Sequence, residues 1–186
     1  GHLRGGREIL HACRSSRPRA MGMAGLDGRN HVAGKIDARL RELGIVLPPP
    51  SQAVANYVPY VLSGSLVFVS GQLPMEAGKL AYAGKLGANL SLEEGQKAAR
   101  LCAINLLSQV KAAAAGDLDR VRRCVKLGGF VNSAPDFVDH PKVMNGASDL
   151  MPEVFGEGGR HARFAMGAAS LPLDAAVEVD AIFELG

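Results

Sequence analysis

The chain has 186 residues, 47% of them hydrophobic and 21% charged, which suits one domain with an ordinary core. No uninterrupted apolar stretch approaches the ~20 residues of a bilayer crossing, so no membrane-spanning helix is expected. Of its 21 basic and 18 acidic side chains, five and one lie in residues 1–20, leaving 16 and 17 for residues 21–186. The net charge of +3 therefore belongs to the start of the chain, and the remainder is near neutral. That balance lacks the concentrated basic footprint of a nucleic-acid binder.

Residues 1–23 are rich in Arg, contain Ser and are poor in acid. They read as a leader outside the fold: a tag with an extended start (Met21 or Met23 being the true one), or an organellar transit segment. The expected compartment is the cytoplasm, or the mitochondrion if the leader is native. The folded domain is expected over 30–186. Cys13, Cys102 and Cys124 are scattered, with no C-x-x-C and no zinc spacing, and so read as reduced, mostly buried thiols. His31, His140 and His161 are dispersed, and Asp136, Asp139 and His140 share a Pro-bounded loop. Neither set argues for a metal, and no cofactor is expected.

Val32, Ile36, Leu40 and Leu43 recur at helical spacing, predicting an amphipathic helix over 30–43 that Pro48-Pro49-Pro50 terminates. Val58–Leu62 and Leu66–Ser70 predict two strands joined by the turn signal Ser63-Gly64-Ser65, and residues 80–86 a third short one after Ala77-Gly78. Ser91-Leu92-Glu93-Glu94 is a capping box. It opens a long helix with Ala99, Cys102, Ala103, Leu106, Val110 and Ala114 as its buried stripe. Lys97, Arg100, Ser108 and Lys111 form its wet side, and Gly116 ends it. Asp119–Phe130 predicts a strand with Val121, Val125 and Leu127 on one face, and Pro141–Phe155 a second helix shortened or bent by Pro152.

Two strands close the chain. Val177, Val179, Ala181, Phe183 and Leu185 alternate with Glu178, Asp180 and Glu184, a half-buried period of two. The same alternation, with Phe164 and Met166 taken as core, places Arg163, Ala165 and Gly167 beside Glu178 and Asp180 on the uncovered face. The predicted architecture is an α+β sandwich: a sheet with two main helices on one face and a second subunit against the other.

The run Gly64-Ser65-Leu66-Val67-Phe68-Val69-Ser70-Gly71-Gln72-Leu73-Pro74, preceded by Asn56-Tyr57, closely resembles the Rid family, also called YjgF or L-PSP-like. His161-Ala162-Arg163, Leu171-Pro172 and Val177-Glu178-Val179 match its closing segments in order and spacing, so the resemblance covers about residues 33–186. It implies a chorismate-mutase-like (ferredoxin-like) fold with a mixed sheet, and a homotrimer with sites at the subunit seams. It also implies hydrolysis of reactive 2-imino or enamine acids to 2-keto acids and ammonia. By the same resemblance Arg163 is the essential cation and Glu178 the water-activating carboxylate, with Tyr57, Asn145 and the backbone at Gly71 and Ala165 lining the pocket. The chain departs from the family pattern at His161 (usually Pro), Phe164 (usually Ser or Thr) and Ala165 (Cys in the deaminase branch). His161 adds a substrate-contacting group and a candidate second acid or base.

The residue types suit that chemistry. A guanidinium forks onto a carboxylate with two parallel bonds, which Lys cannot copy. The iminium carbon beside that carboxylate then needs only an oriented water and a proton acceptor. The expected partner is a small carboxylate metabolite. Two alternatives remain: an endoribonuclease, the activity behind the L-PSP name, and a non-catalytic trimer that binds small carboxylates.

Overall fold

In the computed structural model, residues 34–52 and 56–186 are described; the leader and the first turns of the helix predicted from residue 30 lie outside them. The first helix, α1 (Lys35–Glu42), buries Ile36 and Leu40. Its N-terminus has no local side-chain cap. Both oxygens of Asp119, 83 and 84 residues away, accept from the backbone N–H groups of Ile36 and Lys35 at 2.8 Å. Gly34 permits that approach, since a Cβ there would lie 2.9 Å from the Asp119 carboxylate.

Strands β1 (Tyr60–Ser63) and β2 (Leu66–Gln72) form the predicted hairpin. Residues 80–86 do not form a strand of the main sheet. The chain instead makes a small separate hairpin, β3 (Met75–Glu76) with β4 (Lys79–Leu80), because Ala77 and Gly78 both adopt positive φ and turn it at once. Helix α2 (Leu92–Ala113) has the expected capping box and buries the whole predicted stripe. Ser108, predicted to be wet, is buried instead. Its hydroxyl donates to the Pro48 carbonyl, because the proline segment crosses that side of the helix.

A single 3-10 turn over 118–120 leads into β5 (Val121–Asn132), displaced two residues from the expected strand. Register shifts at Val121/Arg123 and Cys124/Lys126 break its alternation, so Cys124 and Leu127 both reach the core while Val125 does not. Helix α3 (His140–Phe155) runs through Pro152 to Phe155, where Gly156 at positive φ ends it. Strands β6 (Ala162–Ala168) and β7 (Val177–Leu185) finish the chain.

The main sheet has the order β1-β2-β7-β5-β6. Only β5 and β6 are parallel, as their connection through α3 requires. Leu106, Leu107 and Val110 of α2 and Met144, Leu150 and Met151 of α3 share one core with Val67, Leu127, Val131, Val179 and Phe183 of the sheet. The predicted mixed sheet with helices on one face is thus what the chain forms. The other face carries Phe68 and Met166, both well exposed, beside Phe130, Phe164 and Ile182.

Candidate functional site

Strand β6 is an edge strand, and its register decides where Arg163 points. Leu127 lies opposite Arg163 in the parallel pair and opposite Ala181 in the antiparallel pair. Opposed residues share a face, so Arg163 stands on the helix side with Leu127 and Ala181. Its contacts agree: the first terminal nitrogen of its guanidinium donates to Asn145 Oδ1 at 2.9 Å and to Ser148 Oγ at 3.0 Å, both on α3. The expectation that Arg163, Ala165 and Gly167 share the uncovered face with Glu178 and Asp180 is therefore overturned. Phe164 and Met166 hold that face instead, and Phe164 packs at 5.4 Å, edge to face, on Phe130. Alternation alone gave two equivalent phases, and the apolar pair suggested the wrong one because the open face is itself rich in large apolar groups.

The helix-side cluster is a connected network. His161 Nδ1 lies 2.7 Å from the Gly159 carbonyl and its Nε2 lies 3.0 Å from Ser148 Oγ. Asn145 and Ser148 are three apart on α3 and so project side by side toward β6. Ala165 continues the same side and packs against the core. Among the described residues no carboxylate pairs with Arg163, and only one of its three guanidinium nitrogens is engaged. Ser148 was not singled out from the sequence. Its i, i+3 relation to Asn145 was the available signal.

The open face holds the second cluster. Strand β2 carries a bulge between Val69 and Gln72, which turns Gly71 outward while Gln72 is buried. The Gln72 amide straps the bulge by donating to the carbonyls of Ser70 (3.1 Å) and Gly71 (3.2 Å). Gly71 lies directly against the Glu178 carboxylate, so a Cβ there would collide with it. Partial burial, and then the neighbouring Asp180, raise the Glu178 pKa above the ordinary carboxylate value. Asp180 is raised too, by desolvation, with Lys126 and the N–H groups of Asp180 and Gly128 opposing. Gly128 has no side chain, which leaves room for the Asp180 carboxylate and the Phe164 ring above it. Tyr57, half exposed, lines a cleft of about 210 Å³ with Gly71, Gln72, Pro59 and Leu173.

The predicted residues thus fall into two groups. Arg163, Asn145, His161 and Ala165 come together on the helix side of the sheet edge. Glu178, Gly71 and Tyr57 gather around β2 and β7. The two groups occupy opposite faces, with β5 between β7 and β6. One chain alone does not bring Arg163 and Glu178 to one small ligand.

One further feature was not anticipated. Ser133 Oγ and His140 Nε2 lie 3.0 Å apart in a cleft of about 410 Å³ that Phe137 and Gly167 help to line. Among the described residues no group of three His, Cys, Asp or Glu side chains is arranged to hold a metal ion, and no helix is long and apolar enough to cross a membrane.

Residues 37–185 match the family described as "YjgF/chorismate_mutase-like, putative endoribonuclease". The chain is 54% identical over 154 residues to protein TCP17 of Trypanosoma cruzi, covering 82% of this chain and 96% of that one. It is also similar to the crystal structure of Atu1372, a protein of unknown function from Agrobacterium tumefaciens. That match has 55% identity, covers 81% of this chain and 92% of the other, and has a TM-score of 0.77. A Shewanella oneidensis structure described as a putative endoribonuclease matches at 39% identity, covering 82% of this chain and all of the other, with a TM-score of 0.78.

Proposed function

The chain belongs to the YjgF/chorismate-mutase-like family, and on that premise we propose that it hydrolyses small reactive 2-imino or enamine acids to 2-keto acids and ammonia. The observation that carries this is the state of Arg163: a half-buried guanidinium, steadied by Asn145 and Ser148, with its remaining donors free and no carboxylate to neutralise it among the described residues. A substrate carboxylate supplies that missing partner, each charge-assisted bond being worth roughly 1.5–3 kcal/mol.

The catalytic carboxylate comes from a second copy. Glu178 stands on the open face, already partly desolvated and crowded by Asp180. The exposed Phe68 and Met166 on the same face favour its burial against another subunit. The homotrimer that the resemblance implies sets the edge strand of one protomer against the open face of the next. Arg163 then anchors the substrate, and Glu178 of the neighbour orients water toward the C=N carbon and accepts its proton. A raised pKa brings that carboxylate closer to the working pH, where proton transfer is most effective. Tyr57 and the bare backbone at Gly71 shape the cleft beside it. Of the departures from the family pattern, Phe164 acts from the open face and therefore shapes the Glu178 half. His161 shapes the Arg163 half.

The test is complementation. Imines are generated in situ by an amino-acid oxidase, and keto-acid release is followed. Arg163→Ala and Glu178→Ala are each expected to be inactive, and a refolded mixture of the two to regain activity at seams that carry both native residues. Equal rates for wild type and Arg163→Ala would remove the proposal. Inactivity of the mixture, with both variants trimeric, would remove the shared site. The name carried by the family and by the Shewanella protein supports a second activity, RNA cleavage. The near-neutral charge of residues 21–186 weighs against it. RNA cleavage by nuclease-free protein, lost in Arg163→Ala, would establish it.

A further inference from the structure

We propose that Ser148 and His161 form a nucleophile–base pair, which equips this chain for acyl transfer from small activated esters. A carbonyl oxygen only accepts, so the 2.7 Å contact with Gly159 puts a proton on His161 Nδ1. In the neutral ring Nε2 is then the acceptor, and the Ser148 hydroxyl, 3.0 Å away, donates to it. Hydroxyl, imidazole and a fixed acceptor behind the imidazole form the arrangement in which a base is oriented to take a nucleophile's proton.

Four surrounding features set this pair apart from an incidental hydrogen bond. The orienting carbonyl is rigidly placed: Gly159 is buried, and a Cβ there would run into the backbone of Met151 and Pro152. Serine inside a helix commonly bonds a carbonyl one turn back, but the partners of the Ser148 hydroxyl are His161 and Arg163. The Arg163 guanidinium, 3.0 Å from Ser148 Oγ, lies beside the position where an oxyanion would grow on a carbon bonded to that oxygen. Ser148 and His161 are both partly exposed, and Asn145 next to them is exposed.

Ser148 Oγ bonds to the acyl carbon as its proton passes to His161 Nε2. The ester C–O bond breaks, and the alcohol leaves with that proton. Water then attacks the acyl carbon and gives a proton to Nε2. The C–Oγ bond breaks, Ser148 recovers its proton, and the acid departs. No group of the open face takes part, so the chemistry does not depend on imine hydrolysis or on Glu178.

The experiment treats the full chain with a fluorophosphonate probe and, separately, with p-nitrophenyl acetate. Peptide mass spectrometry is expected to find the phosphonyl adduct on Ser148 and p-nitrophenolate to be released with turnover. His161→Gln should slow both by about 100-fold or more, and Ser148→Ala should abolish both, with thermal unfolding confirming that each variant is folded. The adduct site in the wild-type protein decides the matter even if Ser148→Ala disturbs Arg163. An unlabelled Ser148, a label only on other residues, or labelling of Ser148 that His161→Gln leaves unchanged would overturn the proposal. Loss of imine hydrolysis in Arg163→Ala with no adduct on Ser148 would leave the deaminase standing and remove the acyl transfer alone.

Discussion

The two sides of the sheet are built on opposite electrostatic plans. On the helix side, at the edge formed by β6 and α3, one cation is held by neutral hydrogen-bonding groups, and its remaining donors face outward. On the open side, two carboxylates sit close together among aromatic and aliphatic side chains, and their protons are held more tightly than usual. The first arrangement has spare positive capacity, and the second has negative charge it would shed. Each lacks what the other has, and the sheet itself keeps them apart within one chain. A site that used both, as in the proposed function, would therefore need two copies of the chain.

The largest effect that would break this contrast is at Arg163. Arg163→Ala is expected to lower imine hydrolysis by about three orders of magnitude, as the loss of an electrostatic anchor at a reacting centre commonly does. Arg163→Lys should recover little of it, because an ammonium cannot fork onto a carboxylate. Steady-state kinetics on both variants checks this.

The helix side alone can be disturbed through Gly146. A Cβ there would collide with the Gln96 backbone on α2, so Gly146→Ala must push α3 outward. It should cost about 2–3 kcal/mol in chemical denaturation, the scale of overpacking, and weaken substrate binding by moving Asn145 and Ser148. The open side alone can be disturbed through Gly71. The atom in the way is the far end of a flexible carboxylate, so Gly71→Ala should leave stability nearly unchanged while lowering kcat about tenfold (~1.4 kcal/mol in the barrier) by displacing Glu178.

The smallest effect concerns pH. Glu178 holds its proton more tightly when folded than at its ordinary value of 4.5. The folded chain therefore binds more protons than the unfolded one between that value and the folded pKa, and stability falls as pH rises through this window. Below 4.5 both states are protonated and the penalty is absent. Glu178→Gln should raise Tm by about 2 °C at pH 7 and flatten the pH dependence, as scanning calorimetry would show. A lowered Tm would mean that the open face is not the strained side.

Much of the fold was legible because its signals are local. The capping box at Ser91 and Glu94 satisfies donors within one turn, so α2 could be read from four residues. The alternation of β7 and the hairpin at Gly64 are likewise local. The start of α1 was not legible, because its cap is Asp119, far along the chain. The face of β5 was misjudged because bulges change the phase of a strand without leaving a clear mark on composition. Of the expected site residues, Arg163 and Asn145 are in contact, and Ser148 links His161 to Arg163. The side on which Arg163 stands was not legible, and with it went the expectation that it shares a face with Glu178.

Legible in the residues alone were the two main helices, the β1–β2 hairpin, the closing strands, the sheet with one covered face, the family, and the cation and carboxylate on which the proposed function rests. These follow from periodicity, capping and motif spacing, all of which act over a few residues. That the cation lies against α3 while the carboxylate lies on the far face emerges only from the folded chain. The phase of an edge strand is set by its pairing with β5 and by the helix that covers it, and both partners are distant in sequence.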